Sequence, residues 1–207
     1  MYKVYGMPRT RSTRVVWALE ELGVDYSFHH VDLAKGEGQS PEFLKLNPYG
    51  KVPVLIDGDL VLSESSAICT YLGDKYPESE LVPRPGTPDR GCYDQWCYYV
   101  LTELEQPLWT IGKHKFVFPE EKRIAEIIPV ATWEFQTAAK VLAKHLEGCE
   151  YLVGDAFSMA DILAAHTLLW AHAYKIPHNQ KRLDMYREKI SARTAFARAR
   201  EKEVAVK

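Results

Sequence analysis

Asn47-Pro48-Tyr49-Gly50-Lys51-Val52-Pro53-Val54-Leu55 is the stretch whose reading decides the fold. Asn47 and Pro48 suit positions i and i+1 of a type I turn, with Gly50 at i+3. Val52 to Ile56 reads as a buried strand, yet Pro53 lies inside it and has no N–H to give to a ladder. That end of the strand therefore faces something other than a neighbouring strand. A cis Val52–Pro53 bond would turn the backbone N–H and C=O of Val52 outward, where an extended, peptide-like molecule can pair with them.

Downstream, Asp57-Gly58 is a two-residue hairpin signal, so the strand should return as Leu60 to Leu62. Ser63 suits the N-cap of a helix running through Ser65-Ser-Ala-Ile-Cys-Thr-Tyr-Leu72. Glu64 and Ser65 then sit where unpaired helix N–H groups and the positive dipole end attract an anion. A free amino acid head group carries both signs. Ser65 could take its carboxylate through hydroxyl and backbone N–H, and Glu64 its ammonium. Capping alone is the other reading of Ser65; the Val52–Pro53 strand nearby favours ligand binding.

Upstream, a strand near Tyr2 to Tyr5 leads through Met7-Pro-Arg-Thr-Arg-Ser12 into a helix whose Val15, Leu19 and Leu22 recur at i, i+4 and i+7, with Gly23 as its stop. Tyr26 to Val31 is a second strand, and Ser40-Pro41-Glu42 opens a short helix through Leu46. The order βαβαββα over residues 1–79 predicts an α/β domain, a small mixed sheet with helices on both faces. Residues 80–88, with Pro83, Pro85, Gly86 and Pro88, read as a linker. Residues 89–207 carry long helical runs and predict an all-α domain. In it, Ser158-Met-Ala-Asp161 is a capping box, and Ile162 to Trp170, apolar on nearly all sides, should be the central buried helix.

The chain has 207 residues, 46% of them hydrophobic, with 26 basic against 28 acidic side chains. Such balance gives no general field for nucleic acid or an anionic membrane. No apolar run approaches spanning length, and the N-terminus reads as a strand rather than a signal peptide. Cys69, Cys92, Cys97 and Cys149 lack zinc or disulfide-framework spacing, and read as reduced thiols of a cytoplasmic protein. The histidines give no metal site: His29 and His30 point to opposite faces of a strand, and His166 lies in the apolar helix. The mixed-charge run from Arg182 to Lys207 reads as a solvated helix and tail.

Taken in order and at their spacing, Asn47-Pro-Tyr-Gly-Lys-Val-Pro53, Glu64-Ser65-x-Ala-Ile-x-x-Tyr-Leu72, the proline-rich linker and Ser158-Met-Ala-Asp161 resemble the cytosolic glutathione S-transferases over essentially the whole chain. The resemblance implies a thioredoxin-like N-terminal domain, an all-helical C-terminal domain, glutathione as cosubstrate, no metal, and a homodimer engaged in detoxification. By the family's pattern, Val52 and Pro53 present backbone to the cysteinyl unit, and Glu64 and Ser65 hold the γ-glutamyl end. Gln39, Ser40 and Lys51 are placed to reach the glycine carboxylate. Gln39 also reads as a solvated loop residue, and Ser40 as the N-cap of the short helix.

The resemblance places the chemistry in the turn Pro8-Arg-Thr-Arg-Ser-Thr-Arg14. A thiol with a pKa near 8.5 is only a few per cent thiolate at neutral pH, and thiolate is the nucleophile. Lowering that pKa by about two units requires roughly 2.7 kcal/mol of anion stabilisation. A hydroxyl, helix N-terminal N–H groups and a cation can supply it together. The turn holds no tyrosine or cysteine. Thr10 matches the serine of serine-type, bacterial-like members and is the first choice, though its methyl group restricts the aim of the hydroxyl. Arg11 and Ser12 remain candidates, Ser12 also reading as the N-cap of the first helix and Arg14 as a structural contact behind the turn. A second-substrate pocket is expected from this turn and the opening helix of the C-terminal half, with Tyr99, Trp109 and His114 as candidates. The reaction expected is addition of glutathione to a small hydrophobic electrophile, or peroxide reduction. The alternatives are glutathione-dependent disulfide reduction and a non-catalytic interaction module on the same fold.

Overall fold

The computed structural model describes residues 1–205; Val206 and Lys207, the end of the expected tail, lie outside them. By its contacts the chain divides into two compact units, one of Met1–Val82 with the chain from Ser191 onward, the other of Pro83–Ile190.

The first unit follows the expected order: β1 (Tyr2–Gly6), α1 (Ser12–Leu22), β2 (Tyr26–His30), α2 (Pro41–Leu44), β3 (Val54–Asp57), β4 (Leu60–Ser63) and α3 (Ser65–Lys75). The sheet runs β2-β1-β3-β4. β1 and β2 are parallel with Val4 opposite Phe28, while β3 is antiparallel to both neighbours, with Val4 opposite Leu55 and Leu55 opposite Leu62. Alternation along β1 sorts the faces. Tyr5 turns to a small core of Val31, Phe43 of α2 and Val54, joined by Leu46 and Val52. Gly6 faces α1, and it must be glycine: a Cβ there would come within 2.7 Å of Ser12 Cβ.

Three sequence expectations shift by a residue or two. β3 begins at Val54, after the proline, so Pro53 precedes the strand instead of interrupting it. Ser63 is the last residue of β4, and the cap position of α3 falls to Glu64, whose backbone has φ 67° and whose side chain makes no capping bond. The position before Ser12 is Arg11, and Ser12 is the first residue of α1 rather than its cap. Gly23, left-handed at φ 64°, ends α1 as expected.

α1 is buried more completely than its i, i+4, i+7 pattern predicts: Val15, Val16, Trp17, Ala18 and Leu19 are all 0% exposed. The reason is α9 (Thr194–Ala205), which packs on α1 and touches β2. The run from Arg182 is therefore not simply solvated. Ala195, Ala199 and Glu203 form a buried face, Phe196 meets Trp17 with ring centroids 4.5 Å apart, and Arg193 grips Glu21 with Nε 2.6 Å from Oε1. Leu81 and Val82, at the start of the expected linker, are also buried, and a side chain at Gly73 of α3 would strike Val82.

The second unit is helical: α4 (Pro88–Tyr99), α5 (Gln106–Gly112), α6 (Ile127–His145), α7 (Met159–Ala173) and α8 (Lys181–Ser191). Thr87 caps α4, its side chain accepting from the Arg90 N–H at 3.2 Å. Between α4 and α5 the helix widens into a π segment, Val100–Glu105. Pro107 explains the position: it lacks an N–H, and its ring crowds the carbonyl four residues back, so the turn before it loosens. A second π segment, Lys113–Val117, follows α5. α7 is the expected buried helix, and the capping box at its start is complete. Buried Asp161 accepts from Ser158 N at 2.8 Å, Leu152 N at 2.9 Å and Tyr186 Oη at 2.6 Å.

Candidate functional site

Ser65 opens α3 and is 3% exposed, while its neighbour Glu64 is exposed. Arg14, inside α1 and 0% exposed, donates from Nη1 to Ser65 Oγ at 3.2 Å. With that lone pair engaged, the serine proton can be directed outward, and the guanidinium adds positive potential to the α3 N-terminus. Such a point suits a carboxylate. Glu64 occupies a left-handed conformation that a residue with a Cβ adopts at a cost of about 1–3 kcal/mol, so the turn is built around that side chain rather than around a cheap glycine. Arg14 is the residue whose link to the site the sequence reading missed. Its signal was an arginine opening an otherwise apolar helix run, which needs a partner to be buried.

The Val52–Pro53 peptide bond is cis, as the sequence predicts. Pairing of β1 with β3 runs from Lys3–Ile56 to Tyr5–Val54, so Val52 lies beyond the ladder. Asn47 fixes the turn before it: Gly50 N bonds Asn47 O at 2.8 Å, Tyr49 N bonds Asn47 Oδ1 at 3.1 Å, and Asn47 Nδ2 bonds Lys51 O at 2.8 Å. Gly50 has φ 64°, and a Cβ there would lie 2.2 Å from Gln39 Nε2. The turn thus brings Gln39 against the backbone next to Lys51. Ser40 caps α2, its Oγ accepting from Phe43 N at 3.2 Å, which is the alternative role read for it.

The turn before α1 is internally hydrogen-bonded. Thr10 Oγ1 lies 2.6 Å from Met7 O and 2.9 Å from Ser12 Oγ, and accepts from Ser12 N at 3.2 Å. Ser12 is 0% exposed and its Oγ accepts from Met7 N at 3.2 Å. Thr13 N bonds Thr10 O, and Arg14 N bonds Arg11 O, each at 3.2 Å. The first N–H groups of α1 therefore hold the turn in shape. What they offer an anion is the dipole field rather than direct donation, a change from the sequence expectation. Thr10 and Arg11 are both half-buried.

In the helical unit the three aromatic candidates separate. Tyr99 Oη donates to Ala138 O at 2.9 Å, and burial with the nearby Glu103 carboxylate pushes its pKa up to about 12. Trp109 and Trp170 lie edge to face, their centroids 6.4 Å apart. His114 Nδ1 accepts from Ile124 N at 3.1 Å. A shallow, mostly apolar recess is lined by Leu108, Ile111, Lys115, Phe116, Trp170 and Tyr174, with the Phe116 and Tyr174 rings stacked at 5.5 Å. Tyr99, Trp109 and His114 are not among its lining residues. Among the described residues no cluster of three or more His, Cys, Asp or Glu could hold a metal ion, and no helix is long and apolar enough to cross a membrane.

Residues 1–74 match the family model described as glutathione S-transferase, N-terminal domain, and residues 113–194 the corresponding C-terminal domain. The chain is 32% identical to glutathione S-transferase F10 of Arabidopsis thaliana, over 93% of each. Among solved structures it is similar to a glutathione transferase from Methylococcus capsulatus, with 30% identity, TM-score 0.88 and 100% of each chain covered. It also resembles the transferase URE2P6 of Phanerochaete chrysosporium, crystallised in complex with oxidized glutathione, with 28% identity and TM-score 0.87 over 100% of this chain and 97% of that one.

Proposed function

Because this chain belongs to the glutathione S-transferase family, we propose that its first unit binds glutathione and activates the thiol for attack on a small hydrophobic electrophile or a peroxide. The observation that carries the reading is the buried Arg14–Ser65 hydrogen bond behind the N-terminus of α3. It presets Ser65 to donate to the γ-glutamyl carboxylate, with Glu64 beside it for the ammonium. The Val52 backbone, beyond the ladder, pairs with the cysteinyl unit, and Gln39 and Lys51 serve the glycine carboxylate; Ser40 is the weaker member of that set because it caps α2. The sulfur then meets the Thr10 hydroxyl, with Arg11 the nearest competing partner and Ser12 withdrawn by burial.

In this reading the thiol proton passes to solvent water, the thiolate sulfur forms a bond to the electrophilic carbon, and the displaced group departs with the electron pair. Aromatic residues of the helical unit hold the electrophile, with Trp109 and His114 retained as candidates and Tyr99 assigned to packing. The turn has no cysteine, which argues against a protein-thiol redox cycle. Four free thiols support a reducing, cytoplasmic setting, and a role in detoxification rests on the family reading alone.

Calorimetry tests the binding claim. Ser65→Ala should weaken glutathione binding by about 1–3 kcal/mol, and unchanged affinity in a folded variant would move the γ-glutamyl site elsewhere. Pairing of two copies is supported by Tyr98 and Trp133 of the helical unit, 67% and 65% exposed. Light scattering should give about twice the chain mass of 23.7 kDa; a monomer at micromolar concentration removes the dimer and leaves the binding claim intact.

A further inference from the structure

Glu203 is 0% exposed, in the face of α9 that packs on α1 and β2. Thr13 Oγ1 donates to its Oε1 at 2.8 Å. Its Oε2 is shielded and has no hydrogen-bond partner among the described residues. An ionised carboxylate needs several donors when removed from water, and this one has a single neutral hydroxyl. The other acids of the interface are matched. Glu20 accepts from Arg198 Nε at 2.8 Å and from Tyr26 Oη at 2.7 Å. Glu21 accepts from Arg193 and, at 2.9 Å, from Trp17 Nε1.

The remaining charged and titratable neighbours do not neutralise Glu203 by contact. Arg200 lies one turn earlier on α9 and acts only through its field. Lys202 Nζ sits over the Tyr26 ring, 5.4 Å from its centroid. On α1, Arg14 is turned to Ser65. On β2, His29 stacks on Tyr5 and bonds Ser27, and His30 is at the far end, opposite Gly6.

We propose that Glu203 is a proton-controlled latch between α9 and the helix that carries the Thr10–Ser12 turn: protonated, it seats in the α1–α9 interface; ionised, it draws α9 away so that the carboxylate can reach water. Burial supports this, raising the Glu203 pKa to about 7 against the weaker opposing effects of the Thr13 bond and Arg200. The sign follows from linkage. A carboxyl group whose pKa is raised in the docked state favours docking fully below its ordinary value of 4.5, and loses that advantage as pH rises to about 7. Between about pH 5.5 and about pH 8 the docking equilibrium should fall about thirtyfold. Thr13 is also tied by its N–H to Thr10 O at 3.2 Å, so the latch acts one residue from the turn. A consequence for thiol activation rests on the proposed function; the docking equilibrium does not.

Hydrogen exchange of α9 amides in the full chain, corrected for intrinsic rates, tests the latch without glutathione. The parent should lose protection in α9 about thirtyfold from about pH 5.5 to about pH 8. Glu203→Gln, uncharged and of the same shape, should stay protected at both. Thr13→Val removes the donor that favours the ionised form and so raises the docked-state pKa further; its loss of protection should begin in the same range as the parent's but continue to higher pH and reach a larger total. Protection in the parent that does not change with pH overturns the proposal, as does a Glu203→Gln variant that loses protection like the parent. Should Glu203→Gln fail to fold, a Thr13→Val variant whose loss of protection ends at the same pH and reaches the same total as the parent's overturns it equally.

Discussion

One proton on Thr10 Oγ1 faces two acceptors, Met7 O at 2.6 Å and Ser12 Oγ at 2.9 Å, and it can satisfy only one of them at a time. A thiolate arriving at the turn becomes a third, charged acceptor, and a charge-assisted bond is the stronger one. The proposed role for Thr10 requires a hydroxyl that can be redirected at little cost, and Ser12 N, 3.2 Å from Oγ1, would continue to hold it in place. Thr10→Val keeps the shape and removes the proton. It should lower kcat about tenfold or more with little change in glutathione affinity, while Thr10→Ser stays active. Steady-state kinetics with an aryl halide checks both, and a fully active Thr10→Val that is matched by a weakened Arg11→Ala transfers the role to Arg11. Thr10 was proposed from the sequence because it stands where serine-type relatives carry their serine, among the three hydroxyls of the turn, Thr10, Ser12 and Thr13. The withdrawal of Ser12 was not legible there, because its burial depends on Gly6 allowing the turn to close against β1, a contact made in space rather than along the chain.

Elements were legible where local chemistry sets them and blurred where a neighbour decides. The Asn47 turn, the α1 stop at Gly23, the Ser40 cap and the Ser158–Asp161 box all follow from residues within a few positions of one another, and each is present. β3 was expected two residues early because hydrophobic Val52 and Pro53 look like strand when the only test is burial. Val52 packs on the small core with Phe43 and Val31, not on a strand. Ser63 was expected to cap α3, as its composition suggests. Instead the chain places Glu64 there with positive φ, a conformation that propensity argues against and that marks a site built for something other than stability. α9 was the largest misreading. Its buried stripe of Ala195, Ala199 and Glu203 is made of small and charged residues, so no hydrophobic pattern announced it, and only contact with α1 shows why that stripe is inside.

At the scale of the whole molecule, the account rests on a chain whose matches to its family extend over nearly its full length, and whose first unit gathers Arg14, Glu64, Ser65 and the Thr10 turn into one fold. The proposed head-group site was read from residue types alone, since a carboxylate and an ammonium need an N-terminus and an acid together. The electrophile was not, because the shape of an apolar recess is set by contacts between residues far apart in sequence, as Phe116 and Tyr174 illustrate. The central claim is that the protein binds glutathione and lowers its thiol pKa. Ultraviolet titration of glutathione bound to the intact protein measures this without knowledge of the electrophile. The predicted midpoint lies about two units below the value of roughly 8.5 for a free thiol; a bound thiol that titrates at the free value would contradict the account.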